Sequence, residues 1–287
     1  MSDLNIRTRK PYPSDLTDAQ WEAMRDLVPA PPPGPQETVH DRREIVNAIL
    51  YQLRTGCQWR YLPHDFPPWK TVSDYFYRWQ KDGTWLRIHD TLRGRVRRRA
   101  GRAEAPSLGI LDSQSTKTTE AGGPKGFDKG KLVKGRKRHL VVDVLGLLLV
   151  VFVTSAGVQD RDTVPRAMRE AKAASPRLVK MLGDGAYHGE VVANASAETG
   201  VEFEVRKRPE EIKGFQPIPL RWIVERSLAW TGRNRRLSKD YERTVASEET
   251  WIRVSFLHLM VRRLALPAGE VPRRMSSYVT TEPRKAA

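Results

Sequence analysis

The chain has 287 residues, of which 39% are hydrophobic and eight are tryptophan, so it can bury a core and is not a disordered protein. It carries 50 lysines and arginines against 34 aspartates and glutamates, a formal net charge of +16. An excess of this size predicts a polyanionic partner, because Lys and Arg attract phosphates whatever the sequence. A solvated basic surface without such a partner is the alternative.

The composition also excludes several classes of protein. A single cysteine, Cys57, leaves no internal disulfide and no zinc cluster, and it fits a reducing compartment. The amino terminus has no apolar signal core. The longest apolar run, residues 140–153, is too short to span a bilayer and is interrupted by Asp143. We therefore expect a cytoplasmic protein that does not associate with a membrane.

The first part of the chain, residues 10–100, predicts a domain made only of helices. A capping-box pattern at Thr17 predicts the first helix, and apolar residues at helical spacing predict three more. Glycines at positions 56 and 83 end two of these helices. The arginine-rich run that follows them marks a linker or a polyanion-binding arm.

Two short helices with a tight break between them favour a helix-turn-helix, in which residues about 70–82 would enter a major groove. Lys70 and Arg78 would lie on the basic outer face of this helix and contact DNA. A plain helical bundle, whose aromatic residues only fill a core, is the alternative.

After a boundary near residues 100–106 the pattern changes to strands alternating with helices. The predicted strands are LGILDS, HLVVDV, LLLVVFVTS, LVKMLGDG and VEFEVRKR, of which the second and third form a hairpin. The longest helical pattern is LRWIVERSLAWTGRNRRL. The sequence thus predicts a mixed sheet with helices packed on it, an α/β domain over residues 106–265, and a disordered tail over residues 266–287.

Two of the predicted strands end in an aspartate. Asp112 closes LGILDS and Asp184 closes LVKMLGDG, and ligand sites of open α/β sheets lie at strand ends. If the two strands are neighbours, both carboxylates face one point, where their burial is costly without a cation. A hard divalent cation removes that cost and prefers oxygen ligands. We therefore expect a metal site at Asp112 and Asp184.

A third carboxylate is expected from the long helix. Glu225 lies among the apolar residues of RWIVERSLAW, so we expect it to be partly buried and to need a partner. That partner is either the metal or one of the neighbouring arginines, Arg221 and Arg226. Asp240 and Glu242 are expected to pair with nearby basic residues, and they are the alternatives to Glu225 as third ligand.

A glycine-rich basic segment, residues 122–139, leads into the second strand of this domain. It does not match a phosphate-binding P-loop, because Leu132 stands where Ser or Thr should bind Mg²⁺. We interpret it as a basic loop beside the metal site that contacts nucleic-acid phosphates. The cluster expected to make these contacts is Lys134, Arg136, Lys137 and Arg138.

Taken together, these segments resemble the insertion sequence 5 family of bacterial transposases, of the DDE class. The segments that carry the resemblance are LDSQSTKT, GKLVKGRKRHLVVDVLGLLL, GVQDRD, LGDGAYHG and RWIVERSLAWTGRNRRLSKDYE. YPSDLTDAQW and GCQWRYLPHDFPPWKTVSDYFYRW are similar to the helical domain of the same family. The resemblance covers residues 10–265 in family order. It implies a ribonuclease-H-like mixed-sheet catalytic domain preceded by an all-helical, helix-turn-helix-like domain.

The resemblance also implies a chemistry. Asp112, Asp184 and Glu225 match the three catalytic carboxylates, which hold two Mg²⁺ ions, and Mn²⁺ can substitute. Water would attack the phosphodiester at each transposon end, and the freed 3′-hydroxyl would attack target DNA. An inactive end-binding repressor and a ribonuclease-H-like nuclease without strand transfer are the alternative functions.

The same resemblance implies partners and a location. The partner is double-stranded DNA, both the terminal inverted repeats of the element and the target, on which the protein would act as a homodimer. The location is the bacterial cytoplasm, in association with the nucleoid.

The sequence departs from the Tyr-Arg-Glu-Lys signature of the related insertion sequence 4 group. Arg221 has the expected spacing from Glu225, and we expect it to contact DNA, but Ile218 stands at the Tyr position and Gly232 at the Lys position. The residue that grips a DNA phosphate is therefore open among four basic residues that follow. These are Arg233, Arg235, Arg236 and Lys239.

Overall fold

The computed structural model describes residues 9–30, 40–206 and 220–267. The disordered tail predicted from residue 266 onward falls outside the described residues, except for its first two positions. No described helix combines the length and apolar character that crossing a lipid bilayer requires.

Helices make up the first part of the structure. They are α1 (Asp18–Glu22), α2 (Arg42–Thr55), α3 (Trp69–Lys81) and α4 (Thr84–Arg99). The capping box at Thr17 is confirmed, since its side chain accepts the Gln20 amide while the Gln20 side chain accepts the Thr17 amide. Only Asp82 and Gly83 separate α3 from α4, and Gly83 has a φ of +74° that glycine adopts at low cost.

Within the described residues, six strands form one mixed sheet. They are β1 (Leu108–Lys117), β2 (Gly126–Asp128), β3 (Val133–Val142), β4 (Leu148–Ser155), β5 (Lys180–Gly183) and β6 (Glu202–Val205). The antiparallel strand β3 lies between β1 on one side and both β2 and β4 on the other. Beyond β1, the strands β5 and β6 run parallel to it. A helical region followed by this mixed sheet confirms the predicted ribonuclease-H-like fold class.

Both faces of the sheet are covered, because buried apolar residues alternate along its central strands. Leu111 and Val141 pack with α5 (Val164–Ala174) and α6 (Glu190–Thr199). Ile110 and Leu140 point to the other face and pack with two further helices. These are α7 (Arg221–Thr231) and α8 (Val245–Leu264).

The core of the helical region continues into the sheet region. Trp251 of α8 is fully buried and stacks on Phe76 of α3, with 4.3 Å between the ring centroids. On α4, Arg97 forms a buried ion pair with Asp143, in the turn between β3 and β4. The two segments predicted as separate domains therefore share one hydrophobic core.

Two local predictions are wrong. β1 does not end at Asp112 but continues to Lys117, because β3 goes on pairing with it after β5 has ended. The basic segment over residues 122–139 is not a loop, since β2 and β3 form a hairpin within it.

Candidate active site

Asp112 and Asp184 are placed side by side by the pairing of β1 with β5. The strands are parallel, and the last pair in their register is Ile110 with Leu182. Asp112 and Asp184 each lie two residues further along, at the carboxyl end of β5. The expectation that these two strands are neighbours and bring both carboxylates to one edge is met.

Glu225 comes to the same edge from α7. Ile223 and Val224 are buried against the sheet, which leaves Glu225 on the exposed side of the helix. Arg221, one turn earlier, lies between the carboxylates, with Nη2 3.3 Å from Glu225 Oε1 and 3.8 Å from Asp184 Oδ2. The expected partial burial of Glu225 is wrong, because its side chain is 52% exposed.

The arginine partner expected for Glu225 is therefore Arg221. Arg226 instead lies over the rings of Trp222 and Trp230, 4.4 Å and 4.8 Å from their centroids. Because Arg221 is shared between two carboxylates that belong to different elements, it marks the point where Asp184 and Glu225 converge.

The environment of Asp112 opposes its negative charge and raises its pKa to about 6. Loss of hydration on burial is the main cause, and the nearby Asp184 carboxylate adds to it. The Ser113 amide, which donates to Asp112 Oδ1 at 2.7 Å, acts in the opposite direction, as do the charges of Arg221 and Lys131. Asp112 thus carries an electrostatic cost that a further positive charge would remove.

The donor set fits a hard divalent cation in its chemistry. Asp112 and Asp184 at the sheet edge and Glu225 on α7 supply charged oxygens, which suit Mg²⁺ or Mn²⁺ better than softer metals. Among the described residues there is no ready-made cluster of three metal-binding side chains. In this structure Arg221 supplies the positive charge between Asp184 and Glu225.

Two residues of the predicted DNA-binding cluster are buried. Arg136 forms an ion pair with Asp240 at 2.9 Å, and both side chains are fully buried. Arg138 pairs with Glu248, where burial raises the Glu248 pKa to about 8 despite the arginine. Both arginines lie on the sheet face covered by α7 and α8, where a charge needs a partner. The prediction that Arg136 and Arg138 contact DNA phosphates is therefore corrected.

The other two residues of that cluster differ from each other. Lys137 is buried on the opposite face, with Nζ 3.1 Å from Asp160 and 3.6 Å from Asp128, and it is likewise corrected to a structural residue. Lys134, near the start of β3, is exposed. Of the four, Lys134 alone has a side chain available to DNA.

Three of the four basic residues considered after α7 are exposed, namely Arg233, Arg235 and Lys239. The fourth, Arg236, forms an ion pair with buried Glu242. Its guanidinium is therefore engaged inside the protein, and it is corrected as a phosphate contact. As expected, Asp240 and Glu242 both pair with arginines. That Glu225 is the third metal-binding carboxylate stays a prediction.

On α3, Lys70 and Arg78 lie on the exposed side, opposite the buried Phe76. Lys70 Nζ is 3.3 Å from Asp74, and the Arg78 guanidinium lies 5.1 Å from the centre of the Tyr75 ring. The basic outer face predicted for this helix is present. Whether it enters a DNA groove stays a prediction.

Sequence reasoning missed Lys131. This residue lies in the turn between β2 and β3, and its Nζ donates to the Ser113 carbonyl at 3.1 Å, next to Asp112. Nothing in the local sequence distinguishes Lys131 from the other lysines of this segment. Its place follows from the hairpin, which folds the turn back toward β1.

Two family models match the chain. Residues 16–89 match a putative transposase of the IS4/5 family, and residues 103–260 match the transposase DDE domain. The first match covers the described helices α1 to α3, and the second contains the sheet, α7 and all three carboxylates of the edge.

Three curated proteins are similar to parts of the chain. A putative transposase for insertion sequence element IS402 of Burkholderia cepacia is 33% identical over 143 residues, 47% of this chain and 65% of that protein. The uncharacterized protein y4sN of Sinorhizobium fredii is 34% identical over 68 residues, 24% of this chain and 54% of its own length. An IS402 uncharacterized 16.2 kDa protein of Burkholderia cepacia is 29% identical over 117 residues, 37% of this chain and 76% of its own length.

The chain therefore spans less than two thirds of the length of the first two of these relatives. The match to the DDE domain model covers a larger share of the chain than these relatives do. It runs over residues 103–260, which is more than half of the sequence. It agrees with the resemblance drawn from the motifs and with the mixed sheet. The chain belongs to the family of transposases with a DDE domain.

Proposed function

We propose that the chain is a DNA transposase that cuts the ends of an insertion element and joins the freed 3′-hydroxyl to target DNA. The observation that carries the proposal is that Arg221 lies between Asp184 and Glu225, while the charges of Asp184 and Arg221 both act on Asp112. The DDE domain match and the similarity to the IS402 transposase support it.

Asp112, Asp184 and Glu225 would hold Mg²⁺, or Mn²⁺ in its place. When bound, the metal supplies Lewis-acid stabilisation of the charge on the attacked phosphate and on the entering and leaving oxygens. Since the Asp112 pKa is about 6, this carboxylate loses its proton around that pH, so metal affinity should rise as the pH rises through 6.

Arg221 has two roles in this proposal. Without metal its guanidinium offsets the charge of Asp184 and Glu225. When Asp184 and Glu225 hold the metal, the Arg221 guanidinium would bind a DNA phosphate instead. Arginine suits this exchange because its planar group binds carboxylate and phosphate with the same geometry.

The neighbouring hydroxyl groups support a mechanism without a covalent protein–DNA intermediate. Ser113, directly after Asp112, is buried and donates its hydroxyl to Asp160 at 2.9 Å. Tyr187 is buried as well, and burial raises the pKa of its hydroxyl, so it is a poor nucleophile at neutral pH. We infer that water and the DNA 3′-hydroxyl are the attacking groups.

The DNA would be bound by exposed basic residues. In the part of the chain that carries the sheet these are Lys134, Arg233, Arg235 and Lys239. Residues 10–100 would recognise the element ends through the exposed face of α3, as part of a helix-turn-helix. We further propose that the protein acts as a homodimer on the DNA and is associated with the nucleoid.

The test combines a gel shift with a cleavage and joining assay. The full chain is incubated with a duplex carrying the inverted repeats that flank its gene, and with a supercoiled plasmid, in Mg²⁺ or in EDTA. We expect binding in both, but 3′ cleavage and covalent joining to the plasmid only in Mg²⁺. Binding without cleavage would favour an end-binding repressor, and cleavage without joining would favour a nuclease without strand transfer.

A further inference from the structure

An exposed leucine lies in the turn between β2 and β3. Residues 129–132 connect the two strands after their last pair, Asp128 with Val133. Leu132 is 74% exposed, and its φ of +53° is in the left-handed region, where glycine or asparagine is usual. On the adjoining strand Phe127 is 48% exposed. An apolar tip in a costly backbone conformation points to a functional contact that covers it.

The turn is held in place from within. Asp128 Oδ1 accepts the amides of Gly130 and Lys131, both at 3.0 Å, and its Oδ2 accepts the Ser115 hydroxyl. Burial acts to raise the Asp128 pKa, but these hydrogen bonds and a nearby lysine lower it to about 2, so the carboxylate stays charged. Leu132 is therefore presented by a fixed turn.

Lys131 connects this turn to the candidate active site. Its Nζ donates to the Ser113 carbonyl at 3.1 Å, and the Ser113 amide donates to Asp112 Oδ1 at 2.7 Å. Two hydrogen bonds thus connect Lys131, the neighbour of Leu132, with a catalytic carboxylate. DNA bound at Asp112 would run past the tip.

The charge around the tip identifies the class of partner. The exposed lysines of the hairpin are Lys125, Lys129, Lys131 and Lys134. The acid of the same hairpin, Asp128, is buried. An apolar tip within a positive rim complements DNA, in which phosphates flank an apolar stack of bases.

We propose, on the basis of the transposase function above, that Leu132 is a wedge that enters the base stack beside the scissile phosphate and unstacks one base step. Leu and Phe side chains act in this way in proteins that kink DNA. The exposed lysines would hold the backbone on either side, and Phe127 would extend the apolar surface. Unstacking would bend the strand toward the carboxylates.

The test follows 2-aminopurine fluorescence in element-end duplexes that carry this base at successive positions around the cut, with full chain in EDTA. Wild-type protein should raise the fluorescence at one step, by about twofold or more, as expected when a base leaves the stack. Leu132→Ala should abolish the rise and keep the affinity for the duplex within about threefold, because the lysine contacts with phosphates remain. Leu132→Met, which keeps an apolar side chain, should retain the rise.

Two further variants serve as controls. Leu132→Gly removes the side chain and suits the positive φ, so it cannot fail through backbone strain, and it should behave like Leu132→Ala. Val179→Ala changes another exposed apolar residue, 59% exposed, which precedes β5 at the end opposite Asp184. It should leave the fluorescence rise unchanged.

A rise that survives in both Leu132→Ala and Leu132→Gly, or no rise on binding of the wild type, would overturn the wedge. So would a Leu132→Ala protein that changes from dimer to monomer without DNA, because the tip would then be a contact between copies. Cleavage in Mg²⁺ is scored separately on the same duplexes. Unstacking without cleavage would contradict the proposed transposase function but support the wedge. Cleavage without unstacking would support the transposase function but contradict the wedge. Failure to bind the duplex would overturn both.

Discussion

Replacing Asp112 by asparagine should make the protein more stable at neutral pH and inactive. Asparagine keeps the size of the side chain and an oxygen that can accept the Ser113 amide, but it removes the charge. The Asp112 pKa is about 6, compared with 3.8 for a free aspartate. Between these values the native state binds more protons than the unfolded state, so wild-type stability falls as the pH rises from about 4 to about 6.

The size of the effect follows from the same pKa. A rise from 3.8 to about 6 corresponds to about 3 kcal/mol, at about 1.4 kcal/mol for each pKa unit. In metal-free buffer above pH 7, Asp112→Asn should exceed the wild type in free energy of unfolding by up to about 3 kcal/mol. Near pH 4 the difference should vanish, because native Asp112 is then protonated.

Urea unfolding in EDTA at a series of pH values measures this difference. The variant is compared with the wild type at each pH, so that Glu248, with its pKa of about 8, titrates in both proteins and cancels. Asp162→Asn is the control, since this carboxylate is 56% exposed and its replacement should change the free energy of unfolding little. An Asp112→Asn protein that is less stable at pH 8, or equally stable at every pH, would refute the electrostatic argument for the site.

Four further substitutions test the roles of single residues. Glu225→Gln should abolish strand cleavage in the cleavage assay. In urea unfolding it should change the free energy of unfolding by less than about 0.5 kcal/mol, because an exposed ion pair contributes little to stability. Arg138→Ala should cost about 3–5 kcal/mol in urea unfolding, because it leaves Glu248 buried without its partner. By contrast, Lys134→Ala should leave stability unchanged and weaken DNA binding measured by fluorescence anisotropy. Trp251→Ala should cost about 3–5 kcal/mol, and calorimetry should show one unfolding transition, since both regions share a core.

Three of these expectations have contrary outcomes that would change the interpretation. Wild-type cleavage by Glu225→Gln would remove that residue from the site. A fully stable Arg138→Ala protein with weakened DNA binding would return Arg138 to the DNA-binding surface. Two separate thermal transitions would indicate independent domains, in spite of the packing of Trp251 on Phe76.

The sheet edge that carries Asp112 and Asp184 could be predicted from the sequence because its signals are local. An apolar strand followed by an acid is visible at both Asp112 and Asp184, and parallel strands end at one edge of a sheet. The actual length of β1 was not visible in the same way. The polar residues after Asp112 remain in the strand because β3 pairs with them, and this pairing depends on residues about 18 to 26 positions away.

The main error in the expectations drawn from the sequence concerns which charged residues are buried. Arg136 and Arg138 belong to a basic run that is typical of a surface, yet their partners Asp240 and Glu248 lie more than 100 positions further along the chain. No periodicity within β3 shows which face these carboxylates cover. The shared hydrophobic core could not be predicted for the same reason, namely the long separation in sequence. Trp251, which packs on α3, belongs to α8, the last of the described helices.

For Glu225 the expectation was wrong in the opposite direction, because burial was expected and the side chain is exposed. Its apolar neighbours suggested partial burial, but the side chain of Glu225 points away from the buried Ile223 and Val224. Helical spacing alone does not decide this, since Trp222 and Trp230 broaden the apolar face of α7.

The most direct test of the account is Mn²⁺ binding to the full chain, measured by electron paramagnetic resonance of the free ion near pH 8. The wild type should bind Mn²⁺, and Asp112→Asn, Asp184→Asn and Glu225→Gln should each weaken binding by about tenfold or more, because each removes one charged oxygen ligand. Asp162→Asn should bind as the wild type does. Mn²⁺ binding that is unchanged in all three carboxylate variants would contradict the claim that Asp112, Asp184 and Glu225 form one metal site.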